Sequence, residues 1–301
     1  MIDFEVFEYD WIVVLINPEK KTEDVIINDS EALTRYYEKN KSEIWVGYNS
    51  NRYDQYILKG IICGFNPKKV NDFIIVKDMP GWKYSSLFNK IPLLSYDVML
   101  STYSLKQLEG FMGNTIKETS VPFDIDRKLT DDEIAETVKY CKSDVYNTMQ
   151  VFMYTINEFN AQLSLIREFN LPLSYISKTQ AQLASIILGA ERVNLNDEWD
   201  IRVPDTIAID KHKYIVDWFL NEENHRYDAS LTTVINGVEH NIALGGIHGA
   251  KSNYQYTCKK GELLIMADVD QLYPTIMIKY SLLSRAVKEP EKFENILSTS
   301  L

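Results

Sequence analysis

The sequence predicts an α/β protein, and three observations carry this prediction. Strand-like runs alternate with helical patterns over the first hundred residues. The longest apolar runs, WIVVLI and ELLIMA, have the length of strands and fall far short of a membrane span. The 301 residues are 45% hydrophobic, which is enough for a sizeable core and favours two domains.

The first elements follow from turn and cap signals. The stretch IDFEVFEYDWIVVLIN predicts two strands around a tight turn, and EDVIIND predicts a third. Asp29 or Ser30 is a suitable N-cap for the helical pattern that follows, after which EIWVGYN returns to a strand. RYDQYILKGIICGF predicts a helix that ends at Gly64.

Helices dominate the next part of the chain. YSLKQLEGFMG predicts a short helix stopped by Gly113, and Thr130 with Glu133 forms a capping box at the start of a long one. Helical character continues through KTQAQLASIILGA. The polar stretch NLNDEWDIRVP then predicts a boundary between a domain of residues 1–195 and one of residues 196–301.

The second domain is predicted to mix helix and strand. DKHKYIVDWFL predicts a helix and INGVEH a hairpin. ELLIMADVD predicts a strand that leads into QLYPTIMIKY.

Charge and cysteine content restrict the class of protein. The net charge of −11 argues against a simple phosphate-binding surface, but an enzyme that holds divalent cations needs carboxylates, and the cations reverse the local charge. Cys63, Cys141 and Cys258 form no C-x-x-C motif, so we expect reduced, packed thiols. The acidic N-terminus lacks the basic region of a secretion signal, and we expect a cytoplasmic protein with no membrane partner.

The N-terminal strand carries an acidic pair. Alternate residues of a strand share a face, so Asp3 and Glu5 should point one way while Ile2, Phe4 and Val6 point into the core. Taken alone, the pair is typical of an edge strand with a solvated face.

Other polar residues occur at matching places. Asn49 ends a predicted strand and Asp54 begins the next helix, while Tyr140 and Asp144 lie one helical turn apart. The order D-x-E, then N-x-x-x-Y-D, then Y-x-x-x-D resembles the three exonuclease motifs of the DEDD proofreading nucleases. Lys139 stands where the histidine subtype would need its histidine, so the chain resembles the tyrosine subtype.

This resemblance implies a ribonuclease H-like domain, with a mixed central sheet flanked by helices, and two Mg²⁺ or Mn²⁺ ions. Asp3 would bridge both ions, Glu5 and Asp144 would complete the site of the attacking water, and Asp54 would support the second ion. Tyr140 would orient the water. The acids would tolerate one another because cations lie between them.

Further motifs resemble those of family B DNA polymerases. SYDVMLSTYSLKQLEG resembles the stretch that follows the second exonuclease motif in that family. The resemblance implies DNA contacts at Asn49, Phe4 and Tyr53, and His248 is a further candidate.

The second half resembles the start of a polymerase palm. ADVDQLYPTIMIKYSLLSR resembles motif A, with Asp268 in the metal-binding place and Tyr273 in the place that screens out ribose. ALGGIHG is similar to the Y-x-G-G motif, although Ala243 replaces the tyrosine. Gly245 and Gly246 would then contact the template, or form a plain turn.

The expected function is 3′-to-5′ exonucleolytic proofreading of single-stranded DNA ends, in the front half of a bacteriophage-type polymerase. A D-T-D-like motif and a lysine-bearing fingers helix are not found up to Leu301, so we expect no nucleotide incorporation by this polypeptide. The expected partners are a primer 3′ end and possible replication proteins, including the missing polymerase half. Two alternatives stay open: an inactive fragment that binds DNA or protein, and an RNA-directed exonuclease of the same superfold.

Overall fold

The chain has a mixed α/β fold, as predicted. The computed structural model describes residues 1–99, 103–190, 199–203, 210–269, 271–280, 282–283 and 287–298. Contacts divide the chain into two compact units, Met1–Leu183 and Ala184–Leu301. The predicted boundary between residues 195 and 196 lies outside the described residues. None of the helices in the described ranges is long and apolar enough to cross a membrane.

The strands and helices predicted for the first unit occur in the predicted order, together with others that were not predicted, among them a helix at Pro67–Ile74 and a strand at Leu94–Asp97. The strands are β1 (Ile2–Val6), β2 (Trp11–Asn17), β3 (Thr22–Ile27), β4 (Ile44–Gly47) and β5 (Leu94–Asp97). The α-helices are α1 (Ser30–Asn40), α2 (Asp54–Ile62), α3 (Pro67–Ile74), α4 (Leu105–Phe111), α5 (Asp131–Tyr154), α6 (Ile156–Glu168) and α7 (Gln180–Ile187), the last of which continues past Leu183. Short 3₁₀ helices cover Gly81–Lys83, Ser86–Lys90 and Leu173–Ser177.

The five strands of the first unit form two sheets. β1, β2 and β3 form an antiparallel sheet in that order, and β4 pairs with β5 in parallel. β1 also lies against β4, because a Cβ atom added at Gly47 would be 3.2 Å from the carbonyl oxygen of Ile2. Glycine therefore permits a close approach of the two backbones here.

Apolar residues on both faces of β2 place it at the centre of the unit. Val13 and Leu15 pack with β1, α1 and α2 on one face, whereas Val14 and Ile16 pack with α5 on the other. Helices therefore cover both sides of the sheet, which is the layer arrangement that buries two apolar faces at once.

The long helix α5 begins as its sequence predicts. The Thr130 hydroxyl accepts a hydrogen bond from the Glu133 backbone N–H, and the Glu133 carboxylate accepts one from the Thr130 N–H, which completes the capping box. Arg127 donates two hydrogen bonds to the same carboxylate, both of 2.7 Å. The start of α5 is therefore fixed, and with it the register of the residues that α5 presents to β1.

The second unit contains an antiparallel meander and short helices. Its elements are α8 (Lys213–Leu220), a 3₁₀ helix (Glu222–Asn224), β6 (Ser230–Ile235), β7 (Val238–Ala243), β8 (Gly246–Gly249), α9 (Leu272–Lys279) and α10 (Pro290–Ser298). Asn236 and Gly237 both have positive φ, which is the conformation that a two-residue hairpin turn requires. The predicted hairpin is confirmed.

The predicted strand at ELLIMADVD is wrong. Residues 262–269 have no strand conformation, and Leu263 and Met266 are 87% and 97% exposed. A strand needs a neighbour to take up its backbone hydrogen bonds, and no described segment pairs with this one. The apolar pattern of this segment alone is therefore not enough to predict a strand.

Candidate active site

Strand β1 supplies the first two carboxylates of the site. Ile2, Phe4 and Val6 are buried in the core, as predicted, which leaves Asp3 and Glu5 together on the opposite face. That face meets α5, because the Cys141 thiol donates a hydrogen bond of 3.3 Å to Oδ2 of Asp3. The acidic pair thus lies beneath a helix and does not belong to a solvated edge.

Helix α2 supplies the third carboxylate. Asp54 is its first residue and is buried, with 2% of its surface exposed. Its Oδ1 accepts a hydrogen bond of 3.1 Å from the backbone N–H of Phe4, the residue between the two acids of β1. This bond fixes Asp54 against the strand.

The loop before Asp54 is held by a residue that the sequence did not indicate. Asp97, at the end of β5, accepts hydrogen bonds from the backbone N–H groups of Asn49 and Asn51, at 2.8 and 2.9 Å. Asn49 has a left-handed φ of 58°. Asn and Asp tolerate this conformation better than most residues, so the loop can turn sharply enough to deliver Asp54 to β1.

Helix α5 supplies the fourth carboxylate and the tyrosine. Asp144 is mostly buried, and Tyr140 lies one turn earlier on the same face. Burial, and then the negative charges of Asp144 and Glu5, raise the pKa of Tyr140 above its ordinary value. The hydroxyl therefore stays protonated at neutral pH.

The carboxylates repel one another. Burial, and then the charge of Asp144, raise the pKa of Asp3 to about 7. Burial, followed by the charge of Asp3, raises the pKa of Glu5 and of Asp54 well above their ordinary values. The structure thus brings Asp3, Glu5, Asp54, Tyr140 and Asp144 together, and the protein without cations cannot easily ionise all four acids.

The donor set fits hard divalent cations. Glu5 is 8% exposed, and its carboxylate has no hydrogen-bond partner among the described residues. Carboxylate oxygens are the ligands that Mg²⁺ and Mn²⁺ prefer, and a carboxylate that accepts no hydrogen bond is free to bind such an ion. Asp3 and Glu5 also belong to a group, with Cys141, whose ligand atoms lie within 4.8 Å of one another.

The site also contains a lysine and a glutamate that the sequence motifs do not predict. Lys106 on α4 contacts Oδ1 of Asp144 at 2.5 Å and Oε1 of Glu109 at 3.1 Å, and its ammonium group lies 4.5 Å from the centre of the Tyr140 ring. Glu109 is fully buried, and its Oε2 has no hydrogen-bond partner among the described residues. The i,i+3 spacing of Lys106 and Glu109 is visible in the sequence, but their meeting with Asp144 is not.

The predicted DNA contacts near the site have different outcomes. Phe4 is 3% exposed and lies in the core, which excludes a direct contact of its side chain with DNA; only its backbone reaches the site. Tyr53 is half-buried and donates a hydrogen bond to Asn71. The side-chain oxygen of Asn49 is buried and unpartnered among the described residues.

The predicted residues of the second unit are found in and after its meander. Gly246 has a φ of 140° at the start of β8, directly after Gly245, and His248 in the same strand is exposed. Asp268 is exposed and accepts a hydrogen bond from the Val269 backbone, while Tyr273 in α9 is 74% exposed.

Comparison of the chain with protein-family models, curated proteins and solved structures finds no match.

Proposed function

We propose that this chain is a metal-dependent 3′-to-5′ exonuclease of the proofreading type, which releases 5′-mononucleotides from single-stranded DNA ends. One observation carries the proposal. Four carboxylates separated by up to 141 residues, from Asp3 to Asp144, lie near enough to Tyr140 and to one another to raise the pKa values of the site. The acids of a solvated surface would not be buried beside one another, and their pKa values would not be raised in this way.

The sheet supports a ribonuclease H-like arrangement. β1 pairs with β2 at one end of the three-stranded sheet, and its Ile2 carbonyl approaches Gly47 of β4, which pairs in parallel with β5. The acidic pair of β1 lies under the helix that brings Tyr140 and Asp144. Three separate elements, β1, α2 and α5, thus each contribute to one site.

The residues have distinct proposed roles. Asp3, Glu5, Asp54 and Asp144 would hold two Mg²⁺ or Mn²⁺ ions, which supply charge stabilisation to the attacking and leaving oxygens of a phosphodiester. The protonated hydroxyl of Tyr140 would donate or accept a hydrogen bond that orients the attacking water, because its raised pKa excludes it as the base. The carboxylates would accept the proton that the attacking water releases.

The second unit is proposed to be the start of a family B polymerase palm. This part of the proposal rests on the sequence of the motif around Asp268 and Tyr273. A protein of this kind would work in the cytoplasm of a bacterial host, with other replication proteins as partners.

The nuclease assay uses a 5′-labelled single-stranded DNA oligonucleotide with Mg²⁺ or Mn²⁺. We expect a ladder of products shortened from the 3′ end, complete inhibition by EDTA, and loss of activity in the variant with Asp3→Ala and Glu5→Ala. A matched control carries Glu222→Ala and Glu223→Ala, two exposed acids of the second unit, and should keep full activity.

Two results would overturn this proposal. Activity that survives in the Asp3 and Glu5 double variant would place the chemistry elsewhere. Absence of any EDTA-sensitive cleavage, with oligonucleotide binding retained, would favour the inactive binding fragment. A matched RNA oligonucleotide in the same assay decides between DNA and RNA as the substrate.

A further inference from the structure

Cys141 places a thiol inside the acidic site. It follows Tyr140 on α5, is fully buried, and has its Sγ 3.3 Å from Oδ2 of Asp3. The ligand atoms of Asp3, Glu5 and Cys141 all lie within 4.8 Å of one another. The two carboxylates are hard ligands, whereas the thiol is a soft one.

A second observation points to a ligand at this place. The residue Glu5 is 8% exposed, a carboxylate oxygen of Glu5 lies within 4.8 Å of ligand atoms of Asp3 and Cys141, and no hydrogen bond among the described residues reaches this carboxylate. A buried carboxylate without a donor is costly unless a cation reaches it. The thiol alone does not meet this need, because it already donates to the carboxylate and the backbone carbonyl of Asp3.

We propose that Asp3, Glu5 and Cys141 form a binding site for a thiophilic divalent cation, such as Zn²⁺ or Cd²⁺, that competes with Mg²⁺ or Mn²⁺. The distances suit this class of metal. Zn–S and Zn–O bonds of ~2.3 and ~2.1 Å at a tetrahedral angle place sulfur and oxygen about 3.6 Å apart. The observed separation of 3.3 Å between Sγ and Oδ2 is close to this value.

Binding would be an exchange of the thiol proton for the metal. The S–H bond of Cys141 breaks, the proton leaves to solvent, and the sulfur forms a bond to the cation together with one oxygen each from Asp3 and Glu5. Mg²⁺ prefers oxygen ligands and would leave the thiol protonated. The site would thus accept two classes of cation through overlapping ligands, and one class would exclude the other. Binding itself does not depend on the proposed nuclease activity, whereas the inhibition that it causes does.

The test uses Cd²⁺, because a sulfur-to-cadmium charge-transfer band reports the thiolate bond directly. Cys63 and Cys258 are replaced by Ser in the full chain, which leaves Cys141 as the sole thiol. This protein keeps the residue under test, so its folding does not depend on a change at the site. We expect the ultraviolet band to saturate at one Cd²⁺ per chain.

Two further variants test whether the carboxylates share the ion. In the single-thiol background, Asp3→Asn or Glu5→Gln should weaken Cd²⁺ binding about tenfold or more, and Cys141→Ser should abolish the band. Binding of Cd²⁺ without a band would overturn the proposal, because the carboxylates would then act alone. A band whose midpoint ignores both carboxylate substitutions would also overturn it, since the thiol would then bind by itself.

The failure of this inference can be told apart from failure of the proposed function. A charge-transfer band in a protein that hydrolyses no DNA would retain the cation site and overturn the nuclease. Mg²⁺-dependent hydrolysis without a band would do the reverse. Where both hold, Zn²⁺ should inhibit hydrolysis. The Zn²⁺ concentration that halves the rate, with each protein's uninhibited rate taken as its reference, should be about tenfold higher for Cys141→Ser than for the parent.

Discussion

Replacement of Lys106 by methionine should lower the unfolding free energy of the metal-free protein and raise its affinity for Mn²⁺. Lys106 contacts Asp144 at 2.5 Å and Glu109 at 3.1 Å. Lys106→Met keeps the unbranched stem beside the Tyr140 ring and removes the charge. The two carboxylates then lose their cation, while the divalent ions lose a competitor for Asp144.

The side-chain burial sets the size of the first effect. Lys106 is 25% exposed, Asp144 10% and Glu109 0%. Removal of one partner from a buried ion pair costs ~3–5 kcal/mol, and the solvent access of Lys106 reduces this to about 2 kcal/mol of unfolding free energy. Glu109 contributes most of the loss because no water reaches it.

The contact distance sets the size of the second effect. A hydrogen bond between charged groups contributes ~1.5–3 kcal/mol, and the native protein must break the one between Lys106 and Asp144 before Asp144 can hold a cation. Since ~1.4 kcal/mol corresponds to a factor of ten, Lys106→Met should bind Mn²⁺ about tenfold to a hundredfold more tightly.

Two assays check this prediction. Calorimetric titration with Mn²⁺ gives the affinity, and urea unfolding in EDTA and in excess Mn²⁺ gives the stabilities. Lys142→Met is the matched control, because Lys142 lies on α5 and forms an ion pair of 2.5 Å with Glu23 on β3. Equal or weaker Mn²⁺ binding by Lys106→Met would refute the competition between the lysine and the metal.

Three further predictions follow from single contacts. The metal-free protein should lose stability as pH rises from 3.8, the ordinary pKa of Asp3, to about 7, the pKa of Asp3 in the fold. Over this range the folded chain keeps a proton that the unfolded chain releases. Urea unfolding in EDTA measures the loss, and Asp3→Asn should make the stability depend less on pH. Stability that increases with pH over that range would contradict it. Tyr140→Phe should slow hydrolysis about a hundredfold through misplaced water and leave oligonucleotide affinity unchanged in a filter-binding assay; a matching loss of affinity would point to a binding role. Thr130→Ala should cost ~1 kcal/mol in urea unfolding by removing the cap of α5, with an unchanged midpoint as the contrary result.

Local signals in the sequence were sufficient where the interaction itself is local. The capping box of α5 involves residues three apart, and the two faces of β1 follow from alternation along the strand. These two features place Asp3, Glu5 and Asp144 correctly without knowledge of the core. The motif order then predicted which of these acids should meet, and the structure brings them together.

Non-local partners could not be predicted in the same way. Lys106 reaches Asp144 across 38 residues and Cys141 reaches Asp3 across 138. Which lysine or thiol faces an acid depends on how α4 and α5 pack, and a single sequence does not contain that packing in readable form. The exposed segment around Leu263 shows the opposite failure, because its local pattern is that of a strand and its partner is not found in the described residues.

The acidic cluster makes the fold less stable than it could be, and this too is measurable. Glu5 is buried without a hydrogen-bond donor among the described residues, and burial, followed by the charges of Asp3, Asp144 and Asp54, raises its pKa well above the ordinary value. Glu5→Gln has nearly the same shape and no charge, so it should stabilise the metal-free protein by ~1 kcal/mol at about pH 8, where the unfolded chain ionises Glu5 more easily than the folded chain does. It should also reduce the stabilisation that added Mn²⁺ provides, because one ligand is lost. Thermal unfolding in EDTA and in Mn²⁺ gives both values, with the exposed Glu38→Gln as the control. A Glu5→Gln protein that unfolds at a lower temperature than the parent in EDTA would show that Glu5 stabilises the fold by itself, and the case for a cation at this carboxylate would fail.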